Sequence, residues 1–273
     1  MKLNKPTALL LSLALCSGIF AFSSCEAEKK SNASSKENVQ NMQAIANPDD
    51  FFDYYLLDDG TYGVKAGRTA YLTEVVVPAT YNGIAVTQIM DDFWGYNVQP
   101  KTKKLTISEG IQKINASAFQ GSITEHTMKG KNLSLTTVKL PSTVTEIPDY
   151  AFANCASLTT VDFSEGLLSI GEYAFVNCST LTTITFPDSL TELGEYSFYG
   201  CAKLNEISFG ASLNKIQKGA FYQLENIKKV HVKQDTTWGR ENNSIFDQKF
   251  YDNTPAENAK KLLSFDIYSW IIK

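Results

Sequence analysis

Five cysteines carry the most reactive side chains of this sequence, and their spacing limits what they can do. Cys155, Cys178 and Cys201 recur at intervals of 23 residues, whereas zinc-binding cysteines usually come in closely spaced pairs. Three roles are open for them: buried apolar fillers, a disulfide between neighbouring repeats, or a metal ladder. A disulfide would need Cα atoms within about 6.8 Å of each other. We favour fillers, because a free cysteine packs like a small apolar residue.

The histidines and acidic residues show no catalytic arrangement. His126 and His231 lie far apart in the chain, and neither belongs to a nucleophile or metal-binding pattern. The acidic residues are scattered, without the paired carboxylates of a glycosidase. We therefore predict no enzymatic activity, no metal site and no cofactor.

The N-terminus has the features of an export signal. Two lysines precede an apolar run over residues 8–22, which is too short for a typical membrane-spanning helix. The run ends in small residues before Cys25, as in a bacterial lipobox, although Phe22 stands where leucine is usual. We predict a lipoprotein signal peptide over residues 1–24 and a lipid on Cys25. The alternative is a soluble secreted protein that is cut nearby.

The polar segment after the signal and the overall charge restrict the partners. Residues 25–50 are rich in Ser, Asn, Lys and Glu, so they cannot bury enough apolar surface to fold, and we predict a flexible tether. The formal net charge of the 273-residue chain is −4. This balance argues against nucleic acid and against a polybasic membrane surface, because both need a basic footprint.

A 23-residue repeat organises the middle of the chain. Residues 135–226 form four consecutive units that align without a gap. One column of these units holds Phe152, Phe175, Phe198 and Phe221, and another holds Leu135, Leu158, Leu181 and Leu204. A fixed period of this length is the signature of a solenoid, in which each unit buries its apolar side only against its neighbours.

Each unit contains a strand and a compact turn. In the unit that begins at Leu158, Val161 and Phe163 alternate with outward polar residues, as in a half-buried strand. Phe175 and Cys178 are three residues apart, which fits one face of a single helical turn. The sequence thus predicts an α/β solenoid: a right-handed leucine-rich-repeat coil with a parallel β-sheet on one face, short helical turns opposite, and capped ends.

The repeat phase also suggests domain boundaries. We predict an N-terminal cap and divergent first repeat over residues 51–98, with turns at Asp59-Gly60 and Asn82-Gly83. Repeats follow over 99–234, with an insertion at 120–134, and a C-terminal cap occupies 235–273. Phe93 and Phe119 fall in the phenylalanine column despite spacings of 26 and 33 residues. In the C-terminal cap, Thr254-Pro255 is typical of a helix start, and Trp94 and Trp238 are interpreted as capping residues.

These motifs resemble the BspA-like leucine-rich repeat family of bacterial surface proteins. The resemblance rests on strands such as LTTVDF and on the endings AFANC, AFVNC, SFYGC and AFYQL, and it covers roughly residues 59–235. It departs from the pattern at Ser197, where Ala is usual, and at Leu224, where Cys is usual. The family implies a curved solenoid exported to the cell surface, often described as adhesive or protein-binding, without catalytic residues.

The outward strand positions are the best candidates for a binding face. The alternative is a solvated face on which threonine merely suits a strand. The candidate residues are Thr136, Thr137, Lys139, Thr159, Thr160, Asp162, Thr182, Thr183, Thr185, Asn205, Glu206, Ser208, Lys228, Lys229 and His231.

Together these features predict a monomeric lipoprotein of the bacterial outer membrane, anchored by its N-terminal lipid. We expect it at the cell surface, with a periplasm-facing orientation as the alternative. Its predicted function is adhesion or binding of a protein or glycan partner, and it does not bind nucleic acid. The alternative is a structural or accessory subunit of an outer-membrane nutrient-uptake complex without a ligand of its own.

Overall fold

The computed structural model describes residues 51–67, 72–95, 101–121, 134–233, 235–240, 243–250, 254–262 and 270–272. The predicted signal peptide, Cys25, the tether and most of the predicted insertion lie outside these ranges.

The described residues form nineteen strands and one α-helix. These are β1 (Asp53–Leu56), β2 (Tyr62–Lys65), β3 (Glu74–Val77), β4 (Thr80–Tyr81), β5 (Ile84–Ile89), β6 (Lys104–Ile107), β7 (Lys113–Ile114), β8 (Thr137–Lys139), β9 (Glu146–Ile147), β10 (Thr160–Asp162), β11 (Ser169–Ile170), β12 (Thr183–Thr185), β13 (Glu192–Leu193), β14 (Glu206–Ser208), β15 (Lys215–Ile216), β16 (Lys229–His231), β17 (Thr236–Arg240), β18 (Asn243–Phe250), α1 (Pro255–Leu262) and β19 (Trp270–Ile272).

The chain winds into a β-solenoid of six coils. Each coil supplies one strand to a first row (β3, β6, β8, β10, β12 and β14) and one short strand to a second row (β5, β7, β9, β11, β13 and β15). β16 adds a seventh strand to the first row. Neighbouring strands pair in parallel, one repeat apart, as Thr137 and Thr160 do. The strands form because buried residues alternate with outward polar ones, as Val138 does with Thr137 and Lys139.

The turns opposite the first row are not helical, and the predicted α/β character is wrong in this respect. In the fourth coil, Tyr173, Phe175 and Asn177 donate their amide hydrogens to carbonyls of the next coil. The intervening residues 174, 176 and 178 donate to carbonyls three residues back. An α-helix needs every amide bonded four residues back. Alternate amides donate to the next coil rather than within their own segment, so the segment is a series of turns and not a helix. Tyr173 and Asn177 have positive φ in these turns.

The core is a stack of aromatic and aliphatic columns. Phe93, Phe119, Phe152, Phe175 and Phe198 are fully buried, and Phe221 is 5% exposed. Ring centroids along this column lie 5.0–5.8 Å apart. The column continues through the longer first spacings, as predicted.

One junction of the first row lacks strand pairing. β10 ends a four-stranded sheet and β12 begins a three-stranded sheet, although they belong to consecutive coils. Elsewhere in the row, a carbonyl such as that of Thr182 accepts hydrogen bonds from Asn205 and Glu206 of the next coil. The second row remains paired at this junction, through β11 and β13.

The two turns predicted near the N-terminus are confirmed. The predicted turns join β1 to β2 and β4 to β5 in antiparallel pairs. Trp94 is buried, with its ring 4.8 Å from that of Phe93.

The C-terminal cap is only partly as predicted. α1 begins at Pro255, but the hydroxyl of Thr254 has no hydrogen-bond partner, so the helix lacks a side-chain N-cap. The side-chain amide Nδ2 of Asn258 donates to the carbonyl of Val230, so α1 covers the last strand of the first row. The sequence did not indicate the antiparallel strands β17, β18 and β19 that extend the second row beyond β15.

Replacing Phe175 by alanine should lower the free energy of unfolding by about 3–5 kcal/mol, because the cavity opens between two stacked rings in a fully buried column. Chemical denaturation measures the change. Thr160→Ala, on the exposed side of β10, is the matched control and should change stability by under about 0.5 kcal/mol. Similar effects of the two substitutions would contradict the role of the column.

Candidate functional site

All fifteen predicted binding residues face solvent. None is buried, and the strand pairing aligns them in rows across the coils. One row runs through Thr183, Glu206 and Lys229, and its neighbour through Thr185, Ser208 and His231. We call this surface the strand face. Sequence periodicity therefore located the surface, since outward positions of paired strands must lie side by side.

The strand face extends further toward the N-terminus than predicted. β3 and β6 pair with each other, and β6 pairs with β8, so their outward residues continue the same rows. These additional residues are Thr73, Glu74, Val76, Lys103, Lys104 and Thr106. The signal that would have found them is the alternation in TEVVV and KKLTI, which matches that of the regular units.

Some threonines of the strand face have a structural role. The hydroxyl of Thr136 donates to the carbonyl of Lys103 at 2.9 Å, and that of Thr159 donates to the carbonyl of Thr136 at 3.0 Å. Such bonds tie consecutive coils together. At Thr183 and Thr185, both exposed, no such bond forms among the described residues. Among the described residues, the free hydroxyls of the strand face thus include those of β12 and the exposed Thr160 of β10.

Charged residues occur at both ends of the strand face and also near its middle, where exposed Asp162 of β10 lies beside Lys139 of β8. With the added residues it carries five lysines and three carboxylates, although the whole chain has a net charge of −4. At one end, Lys104 pairs with Glu74 at 3.8 Å. At the other, Glu206 lies 2.9 Å from the imidazole Nε2 of His231 and 3.9 Å from Lys229. These pairs are exposed and contribute little to stability, so their positions matter mainly for recognition.

The recurring cysteines are core fillers, and the disulfide alternative is wrong. Cys155, Cys178 and Cys201 are fully buried free thiols. Each thiol donates to a backbone carbonyl of the preceding coil at 3.3 Å, as Cys178 does to Phe152. Burial raises the pKa of Cys201 to about 12 and that of Cys178 well above its ordinary value. The thiols therefore stay protonated and unreactive in the folded protein.

A column of tyrosines on the turns was missed by the sequence reasoning. Tyr150, Tyr173 and Tyr196 stack with ring centroids 5.1 Å apart, all at positive φ. The same column holds Ser117 before them and Gly219 after them, also at positive φ. A bulky side chain is uncommon in this conformation. The repeated tyrosine one position before AF or SF was a visible signal for this column.

The described residues contain no group of three or more His, Cys, Asp or Glu side chains placed to hold a metal ion. Within the same ranges, no helix has the length and apolar character needed to cross a bilayer.

Sequence comparison places these coils in a known family. Residues 122–253 match the family described as "BspA type Leucine rich repeat region" in six copies. Residues 122–253 are leucine-rich repeats of the BspA type. No curated protein matches the chain. The buried cysteines and the phenylalanine column from Phe152 to Phe221 lie within these repeats.

Solved structures resemble this BspA-type chain at low sequence identity. A leucine-rich cell surface protein from Faecalibacterium prausnitzii is 20% identical, with a TM-score of 0.52 over 77% of this chain and 62% of that one. A leucine-rich repeat protein from T. pallidum is 26% identical, with a TM-score of 0.47 over 68% and 71%. One from Bacteroides ovatus is 21% identical, with a TM-score of 0.35 over 66% and 69%. The first likeness supports the fold.

Iodoacetamide at about pH 8 should leave Cys178 and Cys201 unmodified in the folded protein and modify them in denaturant, because an ordinary thiol is partly ionised at that pH and a buried one is not. Peptide mass spectrometry reads each site separately. Rapid labelling of the folded protein would contradict this burial.

The raised pKa values of the two thiols also predict that stability falls as pH rises above about 8.5, because the unfolded chain then loses protons that the folded chain keeps.

Proposed function

We propose that this BspA-type repeat protein is a non-enzymatic binding protein that is displayed at the bacterial cell surface and uses the strand face to bind a protein partner. The observation that carries the proposal is the charge of the strand face, which has an excess of lysine on an acidic chain. A surface of opposite sign to the rest of a protein steers a complementary partner to one face.

The shape of the strand face favours a protein over a small ligand. Seven strands spaced by roughly 4.8 Å extend over about 30 Å. Exposed Lys103 and Lys228 lie toward opposite ends, with the exposed Thr183 and Thr185 between them. A protein with acidic groups opposite the two lysine-bearing ends fits this distribution. The central hydroxyls would then supply hydrogen bonds to its backbone or side chains.

Display at the surface is supported by the signal-like N-terminal sequence and by the likeness of the repeats to those of BspA-type surface proteins. The lipobox-like sequence before Cys25 would supply a thioether-linked lipid, and stable anchoring takes more than one acyl chain. Residues 25–50 would hold the solenoid away from the outer membrane. The F. prausnitzii structure of the same fold is described as a cell surface protein, which agrees with this location.

The double substitution Thr160→Lys and Thr183→Lys should abolish capture of the partner, because two long charged side chains would occupy the threonine-lined centre of the strand face. Asn214→Lys is the matched control: it adds the same side chain at an exposed position outside the strand face. Pull-downs with the full chain compare the captured proteins, and circular dichroism checks folding. A partner that binds the double variant as well as the wild type would place the binding surface elsewhere.

Replacing Cys25 by serine should prevent incorporation of labelled palmitate and release the protein from the membrane fraction, because serine offers no thiol to the acylating enzyme. Protease treatment of intact cells should digest the wild-type solenoid. Membrane association without label in the wild type would exclude the lipid anchor. Protection from protease would indicate the periplasmic face and favour an accessory role in a membrane complex.

A further inference from the structure

A proline interrupts the second row of strands at one junction. In the fourth and fifth coils, the amides of Gly171 and Gly194 donate to the carbonyls of Ile147 and Ile170 at 2.7 Å. Pro148 occupies the same repeat position in the third coil and has no amide hydrogen to donate to Ile114. β7 and β9 are accordingly unpaired, whereas the neighbouring junctions β5–β7 and β9–β11 are paired.

A groove of about 520 Å³ lies at this unpaired junction. Residues 112–116 of the second coil line one side, and Thr145, Glu146 and Pro148 of the third coil line the other, with Asp91 also contributing. The volume is in the range of small-molecule sites, roughly 300–1,000 Å³. The carbonyl of Ile114, which lacks the amide donor present at the other junctions, adds an acceptor to the lining.

The groove is too narrow for an added β-strand. The third coil stays bonded to the second through Ser117 and Phe119, whose amides donate to Asp149 and Ala151. The rings of Phe119 and Phe152 are 5.0 Å apart, as elsewhere in the column. A whole extra strand would need roughly 4.8 Å on each side. The coils are therefore at their ordinary spacing, and the groove is a surface feature between them.

The lining groups suit a ligand that is rich in hydroxyls and uncharged. Gln112, Asn115, Thr145, Glu146 and Asp91 offer amide, hydroxyl and carboxylate groups, which donate to and accept from hydroxyls. Two carboxylates face a single ammonium group, that of Lys113, so the groove repels phosphate and sulfate groups.

An aromatic ring lies at the same junction. Tyr150 stacks on Tyr173 with one face, and its column neighbour on the other side is Ser117, which is too small to cover the ring. Tyr150 is 37% exposed. Tyr150 is not itself among the residues that line the groove, but it follows the lining residue Pro148 by two positions, and its column neighbour Ser117 directly follows the lining residue Ala116.

From this juxtaposition we infer that the β7–β9 groove binds a neutral glycan. The apolar C–H face of a sugar ring packs on Tyr150, and its hydroxyls bind the amide and carboxylate side chains between β7 and β9. This site is separate from the strand face and is formed by other residues, so the protein would have two binding surfaces of different chemistry.

Isothermal titration calorimetry with the full chain tests the inference, using maltohexaose, xylohexaose, mannohexaose and chitohexaose as probes at up to about 1 mM. At least one should bind. Pro148→Gly, which restores the glycine and amide of the next two coils, should pair β7 with β9 and weaken binding about tenfold or more. Gln112→Ala and Tyr150→Ala should each weaken it about tenfold, the scale of one lost hydrogen bond or ring contact.

Tyr222→Ala is the matched control, because Tyr222 is an equally exposed stacked tyrosine on the turns, away from the groove, and its loss should leave affinity unchanged. Gln112→Ala alters only an exposed side chain, so it keeps the test valid if Pro148→Gly fails to fold. The inference is overturned if none of the four sugars binds, if only a sulfated glycan such as heparin binds, or if wild type and all three groove variants bind equally. The strand-face substitutions should not affect sugar binding, which distinguishes failure of this inference from failure of the proposed function.

Discussion

Hydrogen bonding between consecutive coils is the interaction on which the rest of this structure depends. Each coil bonds to its neighbours through the first row of strands, through the second row and through the turns. Half of the backbone amides in the turns donate to carbonyls of a neighbouring coil rather than to their own segment. A coil taken alone would leave these groups without partners and its apolar side in water. The bonded segments therefore recur at the same phase in consecutive coils, including those where phenylalanines are 26 or 33 rather than 23 residues apart.

The same contact between coils assigns most side chains a packing role. Phenylalanine rings stack in a column, thiols donate to carbonyls of the preceding coil, and Asn177 donates to Asn154 at 3.0 Å. The close contact between coils also requires glycine at position 166, because a Cβ there would lie 1.8 Å from the carbonyl oxygen of Ser142. Function is therefore confined to side chains that face solvent or to places where the contact is interrupted. The strand face consists of side chains that face solvent, and the groove beside Pro148 lies where the contact between coils is interrupted.

Sequence periodicity predicted the features that repeat. The strand positions, the phenylalanine column through Phe93 and Phe119, and the burial of the cysteines all followed from it. It failed for the turn, because a three-residue spacing such as Phe175 to Cys178 fits both a helical turn and a chain of turns. The bonds between coils decide between these, and they are not visible in one unit. The interruption at the groove could have been predicted, since Pro148 stands where the next two units have glycine. A single different residue in a regular column does not, however, stand out from ordinary sequence variation. The strands near the C-terminus lie beyond the repeats, where periodicity offers no guide.

The two interruptions of the strand rows fall at different junctions. β7 and β9 are unpaired where β6 and β8 are paired, and β10 and β12 are unpaired where β11 and β13 are paired. Every plane between two consecutive coils is therefore crossed by at least one strand ladder as well as by the bonds of the turns. If both interruptions shared one junction, a pulling force along the stack would meet a single weak plane there. Their separation distributes a load over the whole stack, which would suit the anchored, partner-binding protein that we propose.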